Sequence, residues 1–310
     1  MDGFKAEIGL GLAALGRPGY INLGHAGDIA DASVERMELA SHEVLEAAYE
    51  GGVRAFDAAR SYGRAEAFLA SWLRKRGLGR DDVFVSSKWG YEYTAGWRVD
   101  VEEHEVKDLS AARLRRQWAE TSELLGEHLR LYQIHSATLD SGVVEDAEVR
   151  AELDALRERG LLNGLSASGP DQAGTIERAL ETGGFDSVQA TWNLHERAVA
   201  PALARAHEGG LRVYVKEVLA NGRLTARGQN EVLAAVARER GTTEDAIAIA
   251  AALAQPWADV VLSGAATVEQ LESNLRARDV VWDEELEQQL AGLVEEPEAY
   301  WAARSELPWN

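Results

Sequence analysis

Short apolar runs alternate along the chain with longer segments in which apolar residues recur at a helical period. The runs of strand length are Ile8–Leu12, Val53–Phe56, Val83–Ser87, Leu129–Ile134, Leu162–Ser166, Ser187–Ala190, Leu211–Val215 and Val260–Ser263. The helical patterns between them lie near His42–Glu50, Arg64–Lys75, Ser110–Leu125, Asp146–Arg159, Gln172–Thr182, Val199–Glu208, Asn230–Arg240 and Ala246–Ala254. Strands separated by helices favour a parallel sheet covered by helices, which is an α/β fold.

The number of these units favours a closed sheet. Eight strand and helix units match a (β/α)8 TIM barrel better than an open doubly wound sheet. No GxGxxG motif opens a helix after the first strand, which weakens a Rossmann interpretation. The segments Ala14–Ser41, Gly90–Asp108 and Gly222–Gln229 each follow a strand, so we expect extended loops at the C-terminal mouth. We predict a single domain over residues 1–310, with a final helix and tail after Asp283.

Four chemically active residues fall at or just after predicted strand ends. Asp57 ends the second strand, Tyr62 follows it in a Ser-Tyr-Gly turn, and Lys88 and His135 end the third and fourth. In a barrel these positions meet at one end, where active sites lie. An ammonium stabilises a nearby phenolate, so we expect Lys88 to lower the pKa of Tyr62, with Asp57 holding Lys88 charged. With His135 as a hydrogen-bond donor to a carbonyl, the set predicts a proton donor for an oxygen that acquires negative charge.

Composition and charge narrow the classes of partner. The chain has 32 basic and 52 acidic residues, and a net charge of −20 disfavours nucleic acid and anionic membranes. There is no Cys, no apolar run long enough to cross a bilayer and no signal-peptide pattern, so we expect a cytoplasmic protein. The seven histidines include no pair at metal-ligand spacing, so we predict no metal.

The same residues resemble those of the aldo-keto reductases, NAD(P)H-dependent barrel enzymes. FDAARSYG is similar to the family's FDTAxxYG, VSSKWG carries its strand-three lysine and LYQIH its strand-four histidine. GLSASG, QATWN and VLSGAATVEQLESNL extend the similarity over about Ile8 to Leu275. The resemblance implies that Tyr62 is the general acid and base, Lys88 tunes it, Asp57 supports the lysine and His135 orients the carbonyl, while a nicotinamide supplies hydride.

The last predicted strand gives a separate reason to expect a phosphate. Small residues follow it, and Thr267 with Gln270 forms a capping-box pattern at a helix N-terminus, where exposed amides bind anions. With the resemblance, this stretch becomes an adenosine-phosphate pocket. The expected cofactor contacts are Ser166, Gln189, Lys216, Leu219, Asn221, Gly264, Ala265, Ala266, Thr267, Gln270 and Asn274.

Three departures from the family pattern affect the cofactor. Gly264 and Gln270 stand where many members carry a Lys and an Arg that grip the 2′-phosphate, so NADPH is expected from the family's habit and NADH stays open. Ala167 replaces an amide-binding Asn after Ser166. Lys216 replaces the Tyr that stacks on nicotinamide, and we expect it either to act on the cofactor or to form a local surface pair with Glu217.

Aromatic residues near the mouth suggest a pocket for a small carbonyl compound or a sugar. Trp89 follows Lys88 and Trp192 follows the sixth strand, and both are expected to contact the substrate. In the tail, Trp301 or Trp309 is a candidate for contact with substrate or with a second subunit, so a homo-oligomer stays open.

Three functions remain open from the sequence. The first is an oxidoreductase that interconverts an aldehyde, ketone or aldose with its alcohol or lactone. The second is a nicotinamide-binding module that reports redox state with little turnover. The third is a barrel acid-base enzyme without nicotinamide, such as an isomerase that uses Tyr62 and His135.

Overall fold

A closed barrel of eight parallel strands forms the centre of the computed structural model, which describes residues 6–310. In chain order the strands are β1 (Glu7–Gly11), β2 (Ala55–Asp57), β3 (Phe84–Trp89), β4 (Tyr91–Tyr93), β5 (Glu105–Lys107), β6 (Leu129–Ala137), β7 (Leu162–Ala167), β8 (Ser187–Thr191), β9 (Arg212–Lys216) and β10 (Val260–Ser263). All except β4 and β5 belong to the barrel and pair in sequence order, and β10 pairs with β1 to close it. The predicted TIM barrel is confirmed.

Helices follow the barrel strands and cover the sheet. They are α1 (His25–Asp28), α2 (Val34–Glu50), α3 (Ala65–Arg76), α4 (Ala111–Leu125), α5 (Ala147–Glu158), α6 (Gln172–Thr182), α7 (Ala200–Glu208), α8 (Glu231–Glu239), α9 (Glu244–Leu253), α10 (Val268–Leu275), α11 (Glu284–Leu290) and α12 (Pro297–Ser305). The predicted helical segments match to within one or two residues, except that α2 begins at Val34, well before His42.

Side-chain caps explain where several of these helices begin. The Ser110 hydroxyl accepts the Arg113 amide at the start of α4, and the Asp146 carboxylate accepts two backbone amides at the start of α5. Asn230 caps α8 in the same way. Because the first amides of a helix have no partner within it, each cap fixes the first turn and so the length of the preceding loop.

The barrel interior changes from apolar to polar along its axis. Ala55, Leu131, Tyr214, Val260 and Leu262 pack together inside the lower half. Side chains alternate in a strand, so the next inward-facing positions on these strands are Asp57, Gln133, Lys216 and Gly264. Buried polar groups cost free energy unless partners bind them, so this polar layer marks the functional end of the barrel.

Three segments outside the barrel lie over its C-terminal mouth. They are the β1–α2 loop with α1, the segment between β3 and α4, and α12 with the tail that follows it. Tyr20 and Asn310 exchange backbone hydrogen bonds of 3.1 and 3.3 Å, which join the first segment to the third. The segment Gly90–Asp108, expected as a loop, contains the antiparallel hairpin of β4 and β5, whose backbone groups pair with each other.

Candidate active site

A cavity of about 790 Å³ opens at the C-terminal end of the barrel, a size typical of small-molecule sites. The predicted site residues that line it are Asp57, Tyr62, His135, Gln189, Lys216, Leu219, Asn221, Gly264, Ala265, Gln270 and Asn274. Lys88 on β3 and Ser166 on β7 are not part of the lining, and neither are Ala266 and Thr267, which follow β10.

Asp57 is the centre of a buried hydrogen-bond cluster below this cavity. Its carboxylate pairs with the Lys88 amine and accepts hydrogen bonds from Ser86 Oγ at 2.7 Å and Gln133 Nε2 at 3.2 Å. Lys88 also donates to the Ala58 carbonyl at 3.0 Å and is 1% exposed. A buried ammonium needs such partners to keep its charge, so the expected pairing of Asp57 with Lys88 is present.

Tyr62 lies between this pair and the cavity. The Lys88 Nζ atom is 5.0 Å from the centre of the Tyr62 ring, and the His135 ring meets the Tyr62 ring edge-on at 5.4 Å. Burial, together with the negative charge of Asp57, raises the pKa of Tyr62 well above its ordinary value. The net shift is thus upward, opposite to the one expected, and Asp57 binds the Lys88 ammonium, which offsets its charge. Tyr62 is therefore a firmly protonated phenol.

His135 ends the inward face of β6 and is held as a neutral imidazole. Burial, and then the charges of Lys88 and Lys216, lower its pKa well below the ordinary value. Its Nδ1 lies 3.5 Å from the Ser61 hydroxyl, and the Tyr91 ring packs against it at 5.0 Å. We assign the hydrogen to Nε2, because Ser61 can then donate to Nδ1 while Nε2 supplies a donor.

Five buried side-chain atoms on β7 and β8 have no hydrogen-bond partner within residues 6–310: Asn163 Oδ1, Ser166 Oγ, Ser187 Oγ, Gln189 Nε2 and Thr191 Oγ1. Two of these residues, Ser166 and Gln189, lie on neighbouring strands, and their Cα positions pair directly. Both side chains are almost completely buried, and Gln189 lines the cavity. Because native proteins rarely leave such groups unsatisfied, they point to a polar ligand such as a carboxamide.

The segment after β9 holds Lys216, Leu219 and Asn221 against the cavity. The Lys216 amine donates to Ser168 Oγ at 2.8 Å. Glu217 does not pair with it and binds Arg304 of α12 instead, with contacts of 2.8 and 2.5 Å, so the expected local pair is wrong. Asn221, in a left-handed conformation with φ of 55°, donates to the Ile21 carbonyl at 2.9 Å and fixes this loop to the β1–α2 loop.

The segment after β10 has the predicted capping interaction. Thr267 Oγ1 accepts the Gln270 amide at 3.2 Å, and Gln270 Oε1 accepts the Ala266 amide at 2.9 Å. Gly264 is exposed and lines the cavity. With its amide oriented so that both ends find partners, Asn274 donates to Asp245 at 2.7 Å and accepts from Ser263 Oγ at 2.8 Å. This end of the cavity thus has small residues beside a capped helix, as expected for a phosphate site.

The two tryptophans expected at the substrate lie elsewhere. Trp89 is fully buried in the layer between strands and helices, and Trp192 packs edge-on against Trp257. Neither lines the cavity. Trp89 directly follows the inward-facing Lys88, so strand alternation turns it outward.

Arg17 and the tail form a wall that sequence patterns did not predict. The Arg17 guanidinium lies 5.2 Å from the Tyr62 ring centre and 4.8 Å from that of Trp309, and it pairs with Glu105 at 2.7 Å. Trp309 stacks on His104 with ring centres 4.1 Å apart and lines the cavity. Trp309 was a candidate for this position, whereas Arg17 carried no motif.

Comparison with known proteins places this site in a family. Residues 7–295 match the Aldo/keto reductase family. The chain belongs to this family. Among curated relatives, YqkF of Bacillus subtilis strain 168, described as an uncharacterized oxidoreductase, is 23% identical over 285 residues, covering 81% of this chain and 87% of YqkF. YrpG of the same strain, described in the same way, is 24% identical over 308 residues, covering 86% and 92%.

A solved structure agrees with the aldo/keto reductase fold. The holo form of aldo-keto reductase AKR11C1 from Bacillus halodurans superimposes with a TM-score of 0.71 at 21% identity, covering 94% of this chain and 93% of that one. As a member of the family, the chain is an oxidoreductase. None of its helices within residues 6–310 is long and apolar enough to span a membrane, and no group of three or more metal-ligating side chains is found there.

Proposed function

We propose that this aldo/keto reductase is a nicotinamide-dependent enzyme that reduces an aldehyde or ketone, or an aldose, and oxidises the corresponding alcohol. The observation that carries the proposal is the grouping of a protonated phenol, Tyr62, with a neutral imidazole, His135, above a neutralised Lys88–Asp57 pair. A phenol and an imidazole are the donors that an oxygen gaining negative charge requires.

The residues divide the work as follows. His135 Nε2 donates to the carbonyl oxygen and holds it near the Tyr62 hydroxyl. Tyr62 gives its proton to that oxygen as the carbon becomes tetrahedral, which leaves a phenolate. The Lys88 ammonium, 5.0 Å from the ring centre, stabilises the phenolate, and Asp57 keeps the amine charged and in place. In the oxidative direction the phenolate takes the proton back.

The residues at the cavity also fit a nicotinamide dinucleotide. When bound, the cofactor supplies or accepts hydride at the substrate carbon. The unsatisfied groups of Ser166 and Gln189 suit a carboxamide. The small residues and capped helix after β10 suit a phosphate, and a Cβ atom at Gly264 would meet no atom within 4 Å, so the backbone there is open to a ligand.

The choice between NADPH and NADH depends on the adenosine end. The family habit predicts NADPH, but the lining there includes the acidic Asp245 and Glu269, while Gly264 and Gln270 are uncharged. The one arginine in that part of the lining, Arg227, is already bound by Asp28 in a two-point contact. We therefore propose that the protein accepts NADH at least as well as NADPH, because a 2′-phosphate would meet uncompensated negative charge.

The test compares wild type with Tyr62→Phe, which removes only the hydroxyl. We expect kcat for reduction of a reactive aldehyde to fall by about a hundredfold to ten-thousandfold in the variant, the usual contribution of a general acid. Tyr49→Phe, outside the cavity lining, is the matched control and should keep wild-type activity. Both variants are titrated with NADH and NADPH. Equal activity of wild type and Tyr62→Phe would reject the mechanism, and binding of cofactor without turnover would favour a redox-sensing module.

A further inference from the structure

Two lysine side chains reach the cavity beside His135 without an acidic partner. Lys107, at the end of β5, donates to the Ser136 carbonyl at 2.7 Å, and Lys216, at the end of β9, donates to Ser168 Oγ at 2.8 Å. All four residues line the cavity. In the part of the chain that the structure describes, no carboxylate oxygen forms a salt bridge within 4.0 Å of either amine.

The other cations around His135 are neutralised. The pairs are Arg17 with Glu105, Lys88 with Asp57, and Arg304 with Glu217. Lys107 and Lys216 therefore carry the positive charge around His135 that no carboxylate balances. The chain has a net charge of −20 and only five lysines, at positions 5, 75, 88, 107 and 216. Two lysine amines without an acidic partner in one cavity are therefore not explained by a generally basic surface.

Ser136 and Ser168 join the two amines into one cluster. The Lys216 amine donates to Ser168 Oγ, and the Ser168 hydroxyl donates in turn to Ser136 Oγ at 3.3 Å. Ser136 directly follows His135 and has a φ of 55°, a left-handed conformation that is unfavourable for a residue other than glycine. The fold thus holds a hydroxyl next to the imidazole in a conformation that it does not adopt freely.

The charges of this cluster act at the carbonyl-binding imidazole. Besides burial, the ammonium groups of Lys88, Lys216 and Lys107 are among the causes that lower the pKa of His135. Burial lowers the pKa of Lys216 to about 8. The charges of Arg304 and Lys88 also lower this pKa, whereas those of Glu217 and Asp57 raise it. An unpaired ammonium in such surroundings is stabilised by an anion that replaces the lost water.

We propose that Lys107, Ser136, Ser168 and Lys216 form a subsite for an oxyanion carried by the substrate, so that the enzyme prefers carbonyl compounds with a carboxylate or phosphate group. The inference rests on the proposed carbonyl reductase function, since the subsite adjoins the carbonyl position at His135. Two amines and two hydroxyls offer enough donors to bind a three- or two-oxygen anion.

If Lys216 binds the cofactor instead of the substrate, the kinetic result is different. Lys216 lies near the expected nicotinamide position and could bind a phosphate of the cofactor. In that case its loss would weaken cofactor binding and would lower rates on charged and neutral substrates equally. Lys107 lies on the hairpin of β4 and β5 and is not among the expected cofactor contacts, so it separates the two roles.

The experiment uses matched pairs of substrates. Wild type, Lys107→Met and Lys216→Met are assayed with 4-carboxybenzaldehyde and with its methyl ester, and with glyceraldehyde 3-phosphate and glyceraldehyde. A charge-assisted contact contributes about 1.5–3 kcal/mol, so the charged-to-neutral ratio of kcat/KM should fall about tenfold to a hundredfold in each variant, through KM. The ratio cancels any general loss of activity. Lys75→Met, exposed on α3, is the control and should keep the wild-type ratio.

A binding measurement separates this inference from the proposed function. Calorimetry with 4-carboxybenzaldehyde and with glyceraldehyde 3-phosphate should show weaker binding to Lys107→Met than to wild type. The compound whose Kd changes more shows whether the subsite prefers a carboxylate or a phosphate. Turnover of neutral aldehydes with an unchanged ratio in both variants would overturn the subsite while the reductase function stands. Absence of all turnover together with lysine-dependent binding of the anion would reject the function and keep the subsite.

Discussion

Tyr62 keeps its proton more firmly than a free tyrosine does, and this determines how each direction of the reaction depends on pH. Burial and Asp57 raise its pKa above the ordinary value. Below that pKa the phenol is fully protonated, so reduction of a neutral aldehyde should show no loss of kcat/KM between pH 6 and 9 that titrates with Tyr62. Oxidation needs the phenolate, whose small fraction grows about tenfold per pH unit, so alcohol oxidation should keep rising with pH.

Steady-state rates in both directions, with a neutral aldehyde and its alcohol, check this expectation. A neutral substrate excludes any effect of pH on an anion subsite. A reduction rate that falls through pH 7 to 8 would contradict the assignment, because it would mean that the acid loses its proton in the ordinary range and that the Lys88 ammonium outweighs burial and Asp57.

Gly264 offers a direct test of the adenosine end. Its backbone does not have a positive φ, and an added Cβ would meet no atom within 4 Å, so a side chain fits there without strain. Gly264→Lys places a positive charge where Asp245 and Glu269 now dominate. At an exposed site the gain is modest, so we expect the NADPH-to-NADH affinity ratio to rise about twofold to fivefold. Titration of both cofactors measures it, with Gly264→Ala as the uncharged control; equal ratios in the two variants would place the 2′-phosphate elsewhere.

At the residue scale the sequence predicted that Asp57, Tyr62, Lys88 and His135 lie together, as the structure shows, and misplaced the pocket walls. Asp57, Lys88 and His135 are separated along the chain, but strand ends and alternation bring them together, and both rules are readable from sequence. The same alternation turns Trp89 outward, and applying it would have excluded that residue. Arg17 and Lys107 lie outside regular patterns, and only the folded mouth shows that they reach the site.

Helix α12 is joined to the barrel by one ion pair that is far better buried than those on the surface. Arg304 and Glu217 have side-chain exposures of 24% and 9%, and the Tyr300 hydroxyl accepts a hydrogen bond from Asn193 Nδ2 at 2.9 Å. Removing one partner of a buried pair leaves the other charge unpaired, which costs about 3–5 kcal/mol when burial is complete. For this partly exposed arginine we expect Arg304→Met to lower the free energy of unfolding by about 2–3 kcal/mol.

The control for that variant is Arg205→Met. Arg205 pairs with Glu177 on the surface, with exposures of 54% and 36%, and such pairs contribute at most about 1 kcal/mol. Urea unfolding of both variants compares the two losses. Because Leu307 and Trp309 follow α12 and line the cavity, Arg304→Met should also raise KM. An equal loss of stability in the two variants would show that α12 is held by its apolar contacts instead.

The elements that could be predicted most accurately from the sequence are those that bury an apolar face in the barrel. All eight barrel strands and the helices around them were predicted, because each must bury one face against its neighbours. The hairpin of β4 and β5 and the exact position of the tail could not be predicted in the same way. Their pairing depends on contacts with distant loops, such as Tyr20 with Asn310, and not on a local period.

At the scale of the whole molecule, the closed barrel and the three segments over its mouth together enclose one ligand-binding cavity. Asn221 binds the Ile21 carbonyl, Arg227 binds Asp28, and the tail binds the β1–α2 loop, so the loops that follow β1 and β9 meet the tail above the cavity. A ligand that fills this space contacts the barrel and all three segments at once. Binding should therefore stabilise the folded state as a whole.

Thermal unfolding measures this coupling and tests the nicotinamide proposal without turnover. At a cofactor concentration a hundred times its Kd, binding adds about 2.7 kcal/mol to the free energy of unfolding. For a chain of 310 residues this corresponds to a rise in Tm of about 4 °C. Tyr62→Phe should show the same rise, because the phenol acts on the substrate and not on the cofactor. No rise with NADH or NADPH would favour an acid-base enzyme without nicotinamide, whereas a rise in both proteins with turnover only in wild type would separate cofactor binding from proton transfer by Tyr62.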